Sequence, residues 1–263
     1  MVTSIGLKGK EIYCTGDDKT TVILHAAGSL SASLSELAQA FTQEYGIRVR
    51  LEFDHSGLIR ERLLNGEYSD IFASADMGNP LFLAKVHRSS PVVNFIRNRM
   101  CAIAKPNLKV NSDNLLDLML DSKIKLGTST PHQDPSGDYA QQIFQKAEQI
   151  RSGSFEILSQ KALHLLGKRD SPVPKGKNKF AYFINETHQA DIFLSYCTGA
   201  KLALKAEPSL QIIELPKDLV VTANYGMTLM NNASSAGMML ATYILSLNGQ
   251  KILAKYGFDS SWS

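Results

Sequence analysis

The chain has 263 residues, of which 44% are hydrophobic, and its formal net charge at pH 7 is +3. This length allows one large domain or two smaller lobes, and the composition is ordinary for a globular protein. The charge excess is mild and forms no dense basic stripe, which argues against nucleic acid as a partner. The apolar runs are shorter than the roughly 20 residues that a membrane span needs.

The first 20 residues are polar and mixed in charge, and they lack the apolar stretch of a secretory signal. We therefore expect residues 1–20 to be a disordered leader. Either an export signal is missing from this sequence or the protein never carried one, so a periplasmic and a cytoplasmic location both stay open.

From residue 20 onward, strands alternate with helices. A β-branched and apolar run ends at His25, and leucines then recur at helical spacing until Gly46. The sequence predicts strands at 21–25, 47–53, 70–73, 99–104, 123–127, 190–195, 211–214 and 220–222, and helices at 30–41, 58–64, 80–86, 115–120, 139–150, 238–247 and 250–256. Residues 167–178 are polar, contain two prolines and predict a surface loop. The alternation indicates an α/β fold with a mostly parallel sheet covered on both faces.

Several kinds of chemistry lack sequence support. The six histidines are dispersed, and neither a Cys-x-x-Cys nor a His-Glu-x-x-His motif occurs. The glycine patterns of nucleotide hydrolysis and of dinucleotide binding are missing too, and Gly28-Ser29-Leu30 lacks the second glycine of a nucleophile elbow. Cys14, Cys101 and Cys197 are too few and too scattered for a disulfide framework, although one pair could form.

Small and hydroxylated residues stand where strands give way to helices. Gly28-Ser29 is the first such joint, Ser56-Gly57 the second and Pro135-Ser136-Gly137 the third. Small residues let a ligand approach the backbone, and the first N–H groups of a helix favour an anion. A serine hydroxyl adds a neutral donor, but serine at these positions also serves as an ordinary helix cap.

A site of neutral donors would hold an oxyanion without a matching lysine or arginine. A fully ionised tetrahedral dianion needs only donors, whereas a protonated phosphate also needs an acceptor. Asp54, Asp134 and Asp138 lie close enough in sequence to these joints to act as one, which keeps phosphate-type ligands open. Local turn or cap chemistry is the alternative for all three carboxylates.

These joints belong to a larger pattern, because the chain resembles the molybdate-binding proteins of ABC transporters. The matching stretches span nearly the whole chain after the leader, in the order of the family. They are Ala26–Leu30, Phe53–Gly57, Asp70–Asp76, Asp134–Ala140, Ala190–Thr198, Asn224–Thr228 and Gly249–Phe258.

The resemblance implies a two-lobe periplasmic binding-protein fold of type II, with mixed sheets flanked by helices and two hinge strands. Residues 20–98 plus 228–263 would form lobe 1, and residues 99–227 lobe 2. The ligand would lie in the cleft between the lobes, which would close around it.

The resemblance also implies the ligand-binding residues. Ser29 and Ser56 match two serine positions of the family, and Tyr196 matches its tyrosine. Ser136 stands where many relatives have alanine and offer a backbone N–H; its hydroxyl could add a donor or merely cap a helix. Asn178 is the candidate for a further backbone N–H. His55, beside Ser56, could add charge at low pH.

The sequence thus predicts a molybdate- or tungstate-binding protein that delivers its ligand to an ABC transporter permease in the membrane. It is expected to be a periplasmic monomer and not an enzyme, to need no cofactor and to bind molybdenum or tungsten only as the oxyanion. Two alternatives stay open: a cytoplasmic oxyanion-binding regulatory module, and an enzyme acting on an anionic substrate on the same fold.

Overall fold

The strands of the computed structural model follow the apolar runs of the sequence. The structure describes residues 7–8, 11–13, 21–167 and 173–261. Its strands are β1 (Leu7–Lys8), β2 (Glu11–Tyr13), β3 (Thr21–Ala27), β4 (Arg48–Asp54), β5 (Ile71–Ala73), β6 (Val93–Ala104), β7 (Leu126–Ser129), β8 (Leu163–Leu166), β9 (Ile192–Tyr196), β10 (Gln211–Glu214), β11 (Thr222–Leu229) and β12 (Asp259–Ser260).

Helices connect most of these strands, and glycine or serine residues mark the ends of several of them. The helices are α1 (Ser31–Tyr45), α2 (Ser56–Leu64), α3 (Gly78–Lys85), α4 (Leu115–Leu120), α5 (Pro135–Ile150), α6 (Ser154–Lys161), α7 (Lys179–Ala181), α8 (Cys197–Ala206), α9 (Ser235–Leu245) and α10 (Leu247–Lys255). A π-helical turn, Tyr182–Glu186, follows α7. Gly46 ends α1 in the left-handed conformation, with φ of 71°. Ser234 and Ser246 begin α9 and α10, each accepting an N–H of the first turn on its hydroxyl.

The chain divides into two compact units. Unit 1 comprises residues 1–97 and 224–263, and unit 2 comprises residues 98–223. The chain therefore passes from one unit to the other within β6 and again within β11. The second boundary lies a few residues before the one that the resemblance implies.

In unit 1, strand β3 lies between two parallel neighbours. It pairs with β4 on one side and with β5 on the other. Strand β11 then adds to β5 in the antiparallel direction. Helix α1 buries Leu34, Leu37, Ala38 and Phe41, which recur on one helical face.

Unit 2 repeats this arrangement around β7, which pairs in parallel with β8 and β9. Strand β6 runs antiparallel to β9 and to β10. Phe180 and Phe183 pack with Phe193 of β9, with ring centroids 5.2 and 6.3 Å from that of Phe193. This buried cluster fixes α7 beside β9.

The predicted α/β class with mixed sheets is confirmed. The mostly parallel sheet expected from the alternation alone is wrong, because β2, β6, β10, β11 and β12 form antiparallel pairs. A turn in which the Ile124 N–H donates to the Asp121 carbonyl delays the strand predicted at 123–127, so β7 begins at Leu126. Likewise, Lys217–Leu219 form a 3₁₀ turn, and β11 begins only at Thr222. Helices α6 and α8 were not predicted from the sequence. Part of the predicted 167–178 loop lies outside the described residues.

Part of the predicted leader is ordered. The β2 segment pairs antiparallel with β4, with Ile12 opposite Leu51, and β1 pairs with β2. These five residues thus extend the sheet of unit 1, whereas the sequence predicted an unstructured arm. The rest of the predicted leader lies outside the described residues.

Among residues 21–167 and 173–261, no helix combines the length and the apolar character needed to cross a lipid bilayer.

Gly137 sets how closely α5 approaches the end of β7. A Cβ at this position would lie 2.6 Å from the Ser129 carbonyl oxygen and from the Thr130 carbonyl carbon. Because backbone atoms must move to relieve this overlap, we expect Gly137→Ala to lower the free energy of unfolding by about 1–3 kcal/mol. Urea denaturation measures the change.

Gly78→Ala is the matched control, since a Cβ there would meet only Asp76 Oδ1, at 3.9 Å. We expect its free energy of unfolding to stay within about 0.5 kcal/mol of that of the parent protein. Equal losses in the two variants would contradict the close packing of α5 on β7.

Candidate functional site

Ser29 and Ser56 lie at the same edge of the unit 1 sheet. Strands β3 and β4 are parallel, and their last residues, Ala27 and Asp54, are register partners. Ser29 follows Ala27 by two residues, and Ser56 follows Asp54 by two. The carboxyl ends of parallel strands are where such sheets bind ligands, so the register itself brings both predicted serines to one place.

The Ser56 hydroxyl is fixed by a backbone contact. Its Oγ is fully buried and accepts a hydrogen bond from the Ala75 N–H at 3.1 Å. Ala75 follows the end of β5, the other parallel neighbour of β3. A hydroxyl that accepts in this way keeps its single hydrogen for donation to another oxygen.

The Ser29 hydroxyl contacts a residue to which the sequence assigned no role. Its Oγ lies 3.0 Å from the hydroxyl of Tyr225, which is fully buried on β11. The ring of Tyr225 packs edge-on against Phe258, with centroids 5.5 Å apart. If Tyr225 donates, the Ser29 hydrogen is oriented away from β11. The sequence signal that could have indicated Tyr225 is the stretch Asn224–Thr228, which resembles the molybdate-binding proteins.

The helices behind these serines begin without side-chain caps. Among the described residues, no side chain caps the N-terminus of α1 or of α2, and no acidic residue lies in either first turn. Ser29 and Ser56 are therefore not ordinary caps, which was the alternative interpretation of both. Helix α1 continues a 3₁₀ turn, Gly28–Leu30, whose Gly28 carbonyl accepts the Ser31 N–H, and within the described part of the chain this turn also begins without a side-chain cap. The uncapped N–H groups at the start of the turn and of α2, together with the helix dipole, favour an anion at this edge.

Ser136 has a different environment from the unit 1 serines. Its Oγ donates to the Ser129 Oγ at 2.6 Å, and its N–H donates to Asp134 Oδ1 at 3.1 Å. Asp134, not Ser136, therefore caps α5, and the N–H that relatives would offer is already engaged. Ser129 was not predicted; it is buried at the end of β7, accepts from Ser136 and keeps its own hydrogen for donation.

Tyr196 and the start of α5 lie at the same end of unit 2. Tyr196 is the last residue of β9, is only 5% exposed and directly precedes α8. Its ring packs edge-on against Tyr139 of α5, with centroids 6.2 Å apart. Since β7 and β9 are parallel, Ser129 and Tyr196 at their ends lie at the same end of the unit 2 sheet. The ligand-binding roles of Ser136 and Tyr196 stay predictions.

Asn178 serves as the N-cap of α7. Its Oδ1 accepts the N–H groups of Phe180 and Ala181 at 3.0 and 3.2 Å. The side chain thus has a local structural role. The backbone N–H role that the resemblance implies for Asn178 stays a prediction.

The three carboxylates considered as acceptors have local partners. Asp54 accepts the His55 N–H at 2.9 Å, and Asp134 caps α5. Asp138 is partly buried and accepts the His132 N–H at 2.9 Å. Burial raises the pKa of the Asp138 carboxyl, while the His132 N–H acts in the opposite direction.

A partly buried ion-pair cluster of unit 1 is centred on His25, which is itself fully buried. His25 of β3 and Glu52 of β4 are register partners, with His25 Nε2 3.1 Å from Glu52 Oε2 and 3.0 Å from Glu67 Oε1. These three side chains could jointly hold a metal ion. However, the Arg62 guanidinium lies among them, 2.5 Å from Glu52 Oε2 and also bonded to Glu67. The guanidinium supplies the positive charge that a metal would bring.

One surface pocket of unit 1 lies apart from the predicted site residues. It is bounded by α9 and the end of α1 and includes Tyr45, Met238, Met239 and Tyr243. It contains neither Ser29 nor Ser56. Ser246 and Asn248 at the start of α10 line it, but the Ser246 hydroxyl already donates to the Tyr243 carbonyl.

Comparison with known proteins places the chain in a family. The model of the bacterial extracellular solute-binding proteins matches residues 22–259. The chain belongs to this family. An uncharacterized protein of Pasteurella multocida is 33% identical to this solute-binding protein over 235 residues, which cover 89% of this chain and 96% of the relative.

Solved structures share the fold of this solute-binding protein. The molybdate-binding protein of Azotobacter vinelandii aligns with a TM-score of 0.69 and 15% identity, over 90% of this chain and 98% of its own. The sulfate-binding protein SubI of Mycobacterium tuberculosis has a TM-score of 0.74 at 14% identity, over 92% and 88%. PEB3 of Campylobacter jejuni with L-phospholactate bound aligns with a TM-score of 0.70 and 15% identity, over 91% of this chain and 99% of its own. The type II periplasmic binding-protein fold is thereby confirmed.

The ion-pair cluster predicts a pH dependence of stability. Hydrogen bonds from Arg62 lower the pKa of Glu67 to about 2, whereas the pKa of a glutamate in an unfolded chain is about 4.3. The ionised Glu67 therefore stabilises the fold above the unfolded pKa, and this contribution is lost as the pH falls from about 4.3 toward 2. We expect Glu67→Gln to reduce the slope of unfolding free energy against pH in this window, as measured by urea denaturation.

Glu156→Gln serves as the control, because Glu156 is an exposed carboxylate on α6. This variant should keep the slope of the parent protein. The same slope in all three proteins would show that Arg62 does not hold Glu67 ionised.

Proposed function

We propose that this solute-binding protein binds molybdate or tungstate and delivers it to the permease of an ABC transporter. The observation that carries the proposal is the register of β3 and β4, which sets the Ser29 and Ser56 hydroxyls beside two uncapped helix N-termini. Tyr196 and the Ser136–Ser129 pair would supply donors from unit 2. The cleft between lobes that the resemblance implies stays a prediction.

The chemistry of these donors favours a fully ionised tetrahedral anion. Hydroxyl and peptide N–H groups donate without carrying charge, so a dianion would be held by dipoles and hydrogen bonds. On α2, the Arg60 guanidinium lies over the Phe82 ring, and Arg62 is bonded to Glu52 and Glu67. The charge of Arg62 is thereby neutralised within the cluster.

Family membership supports the transport role. Solute-binding proteins of this family present a ligand to a membrane permease, and a periplasmic location follows from the same role. We therefore propose a periplasmic monomer that performs no catalysis. The similar structures include proteins named for molybdate, for sulfate and for bound L-phospholactate, so the anion must be decided by experiment.

Isothermal titration calorimetry with a panel of anions tests the proposal. We expect molybdate and tungstate to bind at micromolar or lower concentration and sulfate and phosphate to bind more weakly. L-phospholactate provides the competing organic phosphate, for which the Asp138 carboxylate would be an acceptor. Binding of phospholactate without binding of molybdate or tungstate would overturn the proposal.

Ser56→Ala tests the donor set directly. Loss of one hydrogen bond to a charged ligand costs about 1.5–3 kcal/mol, so we expect the molybdate dissociation constant to rise by about 10- to 100-fold. Calorimetry measures the constant, and Ser35→Ala is the control because the Ser35 hydroxyl donates within α1 to the Ser31 carbonyl. Equal affinities of the Ser56 and Ser35 variants would exclude Ser56 as a ligand.

Tyr225→Phe tests whether the Ser29 hydroxyl is positioned from β11. The change removes the hydroxyl 3.0 Å from Ser29 Oγ but keeps the ring on Phe258. We expect molybdate affinity to fall roughly tenfold, which is the size of one hydrogen bond of ordinary strength.

The matched variant is Tyr256→Phe, which removes a hydroxyl that contacts Glu36 instead. It should leave molybdate affinity unchanged in the same titration. An unchanged affinity for Tyr225→Phe as well would show that Ser29 needs no support from Tyr225.

A further inference from the structure

Two cysteine thiols of unit 2 interact with each other. Cys101 is a buried residue of β6, and Cys197 is the partly exposed first residue of α8. Cys101 belongs to a buried hydrophobic cluster that includes Phe180 and Phe193, and Cys197 packs against the same cluster. Residues nearly a hundred positions apart in the chain are thus adjacent.

The backbone explains this contact. Cys101 is the antiparallel register partner of Ser195 on β9, and Cys197 follows Ser195 by two residues. Cys197 is the first residue of α8, just beyond the end of β9, and it packs against the cluster that contains Cys101. The strand pairing and this shared cluster bring the two side chains to the same place.

The two thiols differ in reactivity. The hydrogen bond from Cys101, assisted by the charge of Arg99, lowers the pKa of the Cys197 thiol. The same hydrogen bond and burial raise the pKa of the Cys101 thiol. Cys197 also stands at a helix N-terminus and is partly accessible, which are the conditions that favour a nucleophilic thiolate.

We propose that Cys101 and Cys197 form a disulfide bond by exchange with an oxidised donor disulfide such as glutathione disulfide. The Cys197 thiolate attacks one donor sulfur, the donor S–S bond breaks, and one donor thiolate leaves. The Cys101 thiol then loses its proton and attacks the Cys197 sulfur, which expels the second donor thiolate. The protein loses two protons and two electrons in total, and the donor is reduced to two thiols.

The location implied by the family is consistent with such a bond, because disulfides persist in extracellular and periplasmic compartments. The bond would link β6 to the start of α8, immediately after Tyr196. It would close a loop containing β7, α5 and β8, which restricts the unfolded chain and stabilises unit 2. The proposal does not depend on the identity of the bound anion.

A Cys14→Ser variant of the full chain tests the proposal, since it leaves only Cys101 and Cys197 as thiols. The protein is reduced, equilibrated with glutathione disulfide, unfolded in urea and titrated with a thiol reagent. We expect two reactive thiols before oxidation and none after it. Proteolysis without reductant should yield one peptide pair joined through Cys101 and Cys197, with no attached glutathione.

Stability provides a second measurement. The urea midpoint of the oxidised Cys14→Ser protein should exceed that of its reduced form, whereas a variant that also carries Cys101→Ser should unfold at the same midpoint in both conditions. Two thiols that remain reactive after oxidation, or a stable glutathione adduct on Cys197 in place of the joined peptides, would overturn the proposal.

Discussion

The in-register parallel pairing of β3 with its neighbours is the constraint on which the unit 1 site depends. Because Ala27 and Asp54 are register partners, β3 and β4 end at the same edge of the sheet. In each case a serine follows two residues after the end of the strand. Strand β5 leaves at the same edge and contributes the Ala75 N–H that holds Ser56. Three consecutive strands thus assemble one group of contacts by backbone geometry alone.

Unit 2 uses the same principle with different side chains. Strands β7 and β9 are parallel, and their ends carry Ser129 and Tyr196. Here an aspartate caps the helix and accepts the Ser136 N–H, and the Ser136 hydroxyl donates to Ser129. The two units therefore present hydroxyl groups at strand ends through unlike local arrangements.

Much of the fold and part of the candidate site could be predicted from the sequence. Elements with strong periodicity, such as α1 and α4, and the strand–helix joints at Ser29 and Ser56 were visible because local patterns determine them. Strand direction was not visible, since the antiparallel pairing of β6 and β11 depends on partners far away in the chain.

The residues that support the predicted hydroxyls were missed for the same reason. Tyr225 contacts Ser29 across 196 positions of sequence, and nothing local to either residue indicates the pairing. The cysteines show the same limit: their spacing left one bridge open, and only the pairing of β6 with β9 and the packing around it show that Cys101 and Cys197 share one cluster. Long-range contacts of this kind depend on the assembled sheet.

The Arg62 cluster has a mechanical consequence for Ser56. Helix α2 is held near both ends: Ser56, its first residue, is hydrogen-bonded to Ala75, and Arg62, in its last turn, is bonded to Glu52 and Glu67. The anchors are six residues apart, or about 9 Å along the helix axis. These two contacts fix the orientation of the α2 axis. A change in the position of Arg62 would therefore also displace Ser56 at the other end of the helix.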